Sequence, residues 1–297
     1  MNILPSPFLL WLAIAVPVLL MLGFAFGWRA WSRRDERRSP LNFKVLNLPG
    51  DSLRKRLEAL DDEFNEAGML VIITGPVMLA GWAINVISRR GWETVQWQGG
   101  DWMFVLGVVG MTAWATRRIV RTAGTRRRYR EGLAAEIATA QNLIPLLGEG
   151  CVVFHDFPGD GFNIDHIVVA PNAVFAVETK SRRKPAKGGK DSARVAYDGK
   201  TLRFPDHVET RCVEQAQRQA HWLAQWLGSA TGQPVPVIPV LALPGWFIEP
   251  PREWPQVIVS NLRSPLFLTK LRAPLPMDAT LVRRVAHALA ERYPKAD

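Results

Sequence analysis

The first half of the sequence contains long apolar runs, and these constrain the fold more than any other feature. Residues 8–28 carry no charge and consist mostly of Leu, Ala, Val and Phe. Residues 68–87 form a second run of similar length, and either run spans a bilayer as a helix. A third run, residues 102–116, is shorter and falls in the range where a core helix competes with a span. The sequence therefore predicts an N-terminal membrane anchor.

The distribution of Lys and Arg between these runs decides between two spans and three. Residues 29–67 carry nine Lys and Arg, residues 88–101 carry two, and residues 116–130 carry seven. Because cytoplasmic loops are enriched in these residues, three spans place both rich segments in the cytoplasm and the poor one outside. We therefore predict a multi-pass protein of a bacterial-type inner membrane, with the N-terminus outside and the C-terminal half cytoplasmic.

The net charge of +10 suggests nucleic-acid binding, but its distribution weakens that interpretation. Residues 1–130 hold 18 Lys and Arg against 10 Asp and Glu, whereas residues 131–297 hold 19 against 17. Most of the basic excess thus lies beside the apolar runs, where topology and anionic lipids explain it. The two cysteines, Cys151 and Cys212, lack CxxC spacing, which excludes a disulfide framework.

From about residue 125 the pattern becomes that of a soluble α/β domain. Short β-branched runs are separated by turn residues and flanked by segments with helical periodicity. The pattern predicts strands at 151–154, 164–170, 174–177, 235–243 and 256–259, and helices at 129–147, 208–227 and 279–293. A further helix that begins at Asp51 is predicted between the first two spans. We therefore predict a membrane anchor over residues 1–124 and a mixed α/β domain over residues 125–297.

Acidic residues and one lysine fall at matching positions of the second and third strands. If Pro171 and Asn172 connect two antiparallel strands, the register places Asp165 opposite Glu178 and on the same face of the sheet. Two-residue alternation adds Lys180 to that face. Same-face carboxylates resist burial without a cation, and their oxygens suit a hard divalent ion. Such an ion can polarise a phosphate oxygen and help to generate hydroxide, while Lys180 orients the water or stabilises developing charge.

The stretch NIDHIVVAPNAVFAVETKS, preceded by VFHDF and by the helix EGLAAE, resembles the nuclease-related domain (NERD) of the PD-(D/E)xK nuclease-like superfamily. The resemblance covers roughly residues 125–262 and implies a restriction-endonuclease-like fold with a mixed sheet. It places the family's catalytic positions on Glu136, Asp165, Glu178, Lys180 and Gln215. Of these, Asp165, Glu178 and Glu136 are implied as ligands of Mg²⁺ or Mn²⁺. One position departs from the family pattern, because Ala135 replaces the glycine that usually precedes the helix glutamate.

Residues 180–203 are the one strongly basic part of the second half, with nine Lys and Arg against two Asp. Residues 181–203 are predicted to form an exposed hairpin or loop. A solvated loop explains the basic charge, and so do phosphate contacts that need no sequence specificity. The residues predicted for phosphate contact are Arg182, Arg183, Lys184, Lys187 and Lys190. His166 should point away from the face of Asp165 and pack in the interior, and His155 shows no partner spacing.

These observations predict a membrane-tethered, metal-dependent phosphodiester hydrolase that acts on nucleic acid, with DNA as the first choice of substrate. The alternative is a non-catalytic module that uses a nuclease-like fold to bind nucleic acid or a partner protein at the membrane. The complete set of acidic residues with the lysine favours the enzyme.

Overall fold

The computed structural model describes residues 47–90, 98–185, 191–249, 253–273 and 275–293, together with Gly27, Gly189 and Pro251. The first predicted span, 8–28, and the arginines that follow it lie outside the described residues, apart from Gly27. The described residues form two compact units. One contains residues 59–125, and the other contains residues 47–58 and 126–293.

Two long helices dominate the N-terminal part, α1 at Asp51–Arg90 and α2 at Trp102–Leu143. Their most apolar stretches have mean hydropathies of 1.9 and 1.3, so both are long and apolar enough to cross a membrane by length and composition. Large apolar side chains along them are exposed, among them Ile72 at 73% and Met103 at 71%.

Both helices are longer than the sequence predicts. The predicted helix beginning at Asp51 and the predicted span 68–87 form the single helix α1. The third apolar run, 102–116, continues without a break into the helix predicted to begin the α/β domain. Helical N–H to C=O bonds continue across a change from apolar to charged side chains, so hydropathy alone does not mark a helix end. Within the described residues the apolar helices are therefore two rather than three.

The described part of the α/β unit contains two sheets. Their strands are β1 Val152–Pro158, β2 Asn163–Val169, β3 Val174–Thr179, β4 Arg194–Tyr197, β5 Leu202–Arg203, β6 Val208–Glu209, β7 Val237–Ala242, β8 Phe247–Glu249 and β9 Ile258–Ser260. The main sheet has the order β1-β2-β3-β7-β9, antiparallel from β1 to β3 and parallel from β3 to β9. All six residues of β3 are buried, as expected for a central strand covered on both faces.

Helices cover both faces of the main sheet. On one face, Leu223 of α3 (Arg211–Thr231) and Val285 of α4 (Ala279–Arg292) share a core with Ile167 of β2. On the other face, Leu143 at the end of α2 shares a core with Val168 of β2. The site residues of β2 and β3 are therefore held by strands packed from both sides.

The mixed α/β class predicted from the sequence is confirmed, and the five predicted strands lie within a few residues of observed ones. Of the hairpin and the loop predicted for residues 181–203, the structure shows a hairpin, because β4 pairs antiparallel with β5 there. These two strands join β6 and β8, which the sequence does not predict, in a second sheet of order β6-β5-β4-β8. Strands of two or three residues are too short to show a period.

Candidate active site

A cavity of about 630 Å³ lies in the α/β unit where β3 ends and β2 begins. Side chains from α1, α2, β2, β3 and α3 line it. The fold brings all five residues predicted as catalytic to this one cavity: Glu136, Asp165, Glu178, Lys180 and Gln215.

The strand register places Asp165 beside the end of β3. Val169 pairs with Val174 and His166 pairs with Val177, so continuation of the ladder sets Asp165 opposite Glu178, as the sequence predicts. The Asp165 carboxylate accepts a hydrogen bond of 2.6 Å from the backbone N–H of Thr179. This bond fixes Asp165 against β3, with its side chain partly exposed in the cavity.

Glu178 is the most constrained carboxylate of the site. Its side chain is 3% exposed, and its Oε1 accepts hydrogen bonds from Lys180 Nζ and, at 2.8 Å, from Gln215 Nε2. Its Oε2 is buried and has no hydrogen-bond partner among the described residues. Two hydrogen-bond donors on Oε1 thus fix the carboxylate and leave Oε2 free to coordinate a cation or to accept a hydrogen bond.

Glu136 approaches the same cavity from α2 and is 7% exposed. Burial raises the pKa of Glu136 to about 7, and the nearby carboxylates of Asp156 and Glu178 add to this shift, whereas Lys180 opposes it. A carboxyl with this pKa exchanges protons near neutral pH, which is the range in which a general acid or base works.

Asp165 and Lys180 show how the cluster balances its charges. Burial raises the pKa of Asp165 well above its ordinary value, and repulsion by Glu178 and Glu136 raises it further, against the Thr179 hydrogen bond and Lys180. Burial works against the charged form of Lys180, but the attraction and hydrogen bond of Glu178 outweigh burial and raise the pKa of Lys180. The single ammonium therefore does not neutralise all of the carboxylates.

The donor set fits a hard divalent cation. A second positive charge would relieve the repulsion among Glu136, Asp165 and Glu178, and the free Oε2 of Glu178 offers an oxygen ligand. In the described part of the chain, however, no three acidic, His or Cys side chains already converge as a complete ligand set. Mg²⁺ commonly takes one or two carboxylates and completes its shell with water and substrate phosphate, so this arrangement remains compatible with it.

The predicted phosphate contacts of the basic stretch are largely engaged by acidic partners. Arg182 makes two hydrogen bonds to Glu209, of 2.8 and 2.6 Å, and Arg183 bonds to Glu131 at 2.7 Å. Lys184 lies over the Trp246 ring at 5.8 Å from its centroid. The two remaining predicted contacts, Lys187 and Lys190, lie outside the described residues. A nucleic acid would have to compete for both arginines.

Sequence reasoning missed two contributors to this region. Arg56 lines the cavity from the first turns of α1, a segment assigned from sequence to the membrane anchor. Asp156 is 3% exposed in β1 and influences the pKa of Glu136. Arg56 lies far in sequence from the other site residues. Asp156 is close to Asp165 along the chain, but it belongs to no spacing that marks a site.

Comparison with known families gives one result. Residues 131–244 match the family model described as the nuclease-related domain, NERD, and this range contains all five predicted catalytic residues. The match spans less than half of the 297-residue chain, begins within α2 and excludes the apolar runs 68–87 and 102–116. No significant match is found among curated proteins or solved structures.

Proposed function

Because residues 131–244 form a nuclease-related domain, we propose that this chain is a metal-dependent phosphodiester hydrolase that acts on nucleic acid, with DNA as its substrate. One observation carries the proposal. Lys180 and Gln215 both donate to Oε1 of Glu178, the buried Oε2 has no hydrogen-bond partner among the described residues, and Asp165 lies close enough for the two carboxylates to repel each other. A structural ion pair would need neither the free oxygen nor the cavity.

In this proposal Asp165 and Glu178 hold the Mg²⁺ ion, and Glu136 stands beside them to accept hydrogen bonds from water. When bound, the ion supplies positive charge to a phosphate oxygen and lowers the pKa of water. Gln215 keeps Glu178 in one orientation through its 2.8 Å hydrogen bond. Lys180 presents an ammonium at the cavity, where it stabilises negative charge that develops on the phosphate.

The decisive substitution is Asp165→Asn, which removes one negative charge and keeps the shape of the side chain. We expect cleavage to fall by about 10²–10³-fold or more, because both ion binding and charge balance are lost. The measurement is cleavage of labelled single-stranded DNA, duplex DNA and RNA by the purified full chain, in Mg²⁺, in Mn²⁺ and in EDTA. Glu214→Gln is the matched control, since Glu214 is an exposed carboxylate next to Gln215 on α3.

Two results would refute the hydrolase. One is a wild-type chain without metal-dependent cleavage of any of the three substrates, and the other is an Asp165→Asn variant as active as the wild type. In either case the non-catalytic binding module takes its place, and retained nucleic-acid binding without cleavage would be its signature.

A membrane tether is the second part of the proposal. The support is that α1 and α2 expose large apolar side chains along stretches apolar enough for a bilayer, and soluble proteins rarely expose large contiguous apolar patches. The predicted orientation, with the N-terminus outside and the α/β unit in the cytoplasm of a bacterial-type cell, belongs to this proposal. We expect the chain to stay in the membrane pellet after alkaline carbonate washing. Its release into the supernatant would exclude a spanning anchor.

A further inference from the structure

Residues 47–57 lie outside the matched domain, yet they belong to the same compact unit as the candidate active site. They comprise a short turn and the first two turns of α1. In the sequence they stand about 100 residues before β2, between two predicted membrane spans, so nothing local assigns them to the site.

Asp156 attaches this segment to β1. The Asp156 carboxylate accepts a hydrogen bond of 2.5 Å from the Ser52 N–H and one of 2.9 Å from Asn163 Nδ2. Its carbonyl oxygen accepts a bond of 2.8 Å from Asn47 Nδ2. Asp156 also adopts a φ of +46°, a left-handed conformation uncommon for a residue other than glycine. The three contacts compensate this strain, and the two from Asn47 and Ser52 fix the start of α1.

Gly50 fits the segment closely against α2. It is buried with a φ of +70°, and a Cβ there would lie 2.3 Å from Leu133 Cδ1 and 3.2 Å from Glu136 Oε2. Glycine adopts this left-handed conformation without strain, whereas a larger residue would also require the Leu133 side chain to move. Leu57, 8% exposed, buries the next turn. The first turns of α1 are therefore anchored beside Glu136.

Arg56 lies on this anchored turn and lines the cavity. Of the other cations that line it, Lys180 bonds to Glu178 and Arg182 bonds to Glu209. Arg128 also has a partner. Arg56 is exposed and makes no ion pair with any described residue. Its guanidinium is therefore available for an anion, and its planar fork suits a phosphate better than an ammonium does.

We infer that residues 47–57 are part of the active site and that Arg56 contacts a backbone phosphate of the nucleic acid next to the one that is cleaved. This inference rests on the proposed function and extends it beyond the matched domain. The acidic cluster repels a polyanion. A cation that a rigid turn holds at the rim of the cavity offsets this repulsion and positions the nucleic-acid strand, and it does so without pairing with Glu178.

The test compares Arg56→Ala with Arg54→Ala in the full chain. Arg54 is two residues earlier on the same helix, has the same charge and does not line the cavity. Both variants are made in the Asp165→Asn background, and binding of a fluorescein-labelled 30-nucleotide DNA, single-stranded and duplex, is measured over a series of salt concentrations. Arg56→Ala should weaken binding about tenfold and reduce the salt slope by about one. Arg54→Ala should match its parent, and Arg56→Lys should recover part of the loss.

Cleavage is also measured for the same Arg56 and Arg54 variants with Asp165 intact. This measurement distinguishes failure of the Arg56 inference from failure of the proposed hydrolase. If the wild type cleaves DNA and Arg56→Ala binds and cleaves as Arg54→Ala does, the inference is overturned and the hydrolase stands. If the wild type neither binds nor cleaves DNA, both fall together. If Arg56→Ala loses binding only to vesicles containing phosphatidylglycerol, the guanidinium serves a lipid headgroup, which also overturns the inference.

Discussion

Two consecutive residues of β2 belong to two clusters of ionisable side chains, which lie on opposite faces of the main sheet. Asp165 faces the cavity together with Glu178. The next residue, His166, is fully buried on the other face and lies directly opposite His155 of β1. The two Nδ1 atoms are 2.8 Å apart, so one ring donates a hydrogen bond and the other accepts it. The predicted packing role of His166 agrees with this position. His155, predicted to be structural or exposed, is half-buried and has a structural role beside it, although no spacing in the sequence marks the pair.

The two clusters respond to burial in different ways. Burial, with a smaller effect from His155, lowers the pKa of His166 to about 3, and burial also lowers the pKa of His155. Both rings are therefore neutral at pH 7 and share one hydrogen bond, while the buried Nε2 of His166 has no hydrogen-bond partner among the described residues. In the acidic cluster burial acts together with like-charge repulsion, and an open cavity gives access to a cation. Perturbed pKa values on both faces thus mark packing on one and a candidate site on the other.

The largest expected contrast between the faces is in catalysis. Lys180→Ala should lower the rate of cleavage by about 10²–10³-fold, because in the proposed mechanism it removes the positive charge that stabilises the phosphate. Divalent-ion binding should persist, since the carboxylates remain. His166→Phe should leave cleavage within about threefold, because its face of the sheet has no access to substrate. Single-turnover cleavage and calorimetric Mn²⁺ titration measure the two effects. Equal losses of activity in both variants would erase the distinction.

We also expect the two clusters to affect the stability of the metal-free protein in opposite ways as the pH changes, and this effect is smaller than the effect on catalysis. The folded pKa of Glu136 is raised from 4.5 to about 7. Between these values the folded state holds a proton that the unfolded state has lost, so stability falls as pH rises through the window. Glu136→Gln should abolish this decline, which amounts to about 2–3 kcal/mol by pH 8.

His166 should produce the reverse slope. Its folded pKa is depressed from 6.5 to about 3, so below pH 6.5 the unfolded state binds a proton that the folded state excludes. Stability is therefore lost as pH falls, by about 2 kcal/mol at pH 5, and His166→Phe should remove that loss. Urea unfolding followed by Trp fluorescence in EDTA from pH 4.5 to 8 tests both variants. Slopes that change in the same direction would contradict the assignment of opposite roles to the two faces.

The strands and the core of the candidate site follow from local sequence. The short connection at Pro171 and Asn172 and the two-residue alternation of β2 and β3 are enough to place Asp165 opposite Glu178. The helix ends were harder to predict. α1 and α2 each cross from an apolar to a charged stretch, and the backbone hydrogen bonds that continue a helix leave no mark in the hydropathy.

The sequence by itself thus determined the α/β class, the facing carboxylates and the two long apolar stretches, because each depends on periodicity or composition within a few tens of residues. Only the tertiary structure decided that Arg56 lines the cavity, that Gly50 packs against Glu136 and that Asp156 joins β1 to the start of α1. The last contact joins Ser52 and Asp156, which are 104 positions apart. Such contacts form where packed elements meet, and no local propensity or spacing encodes which distant turn will meet a given strand.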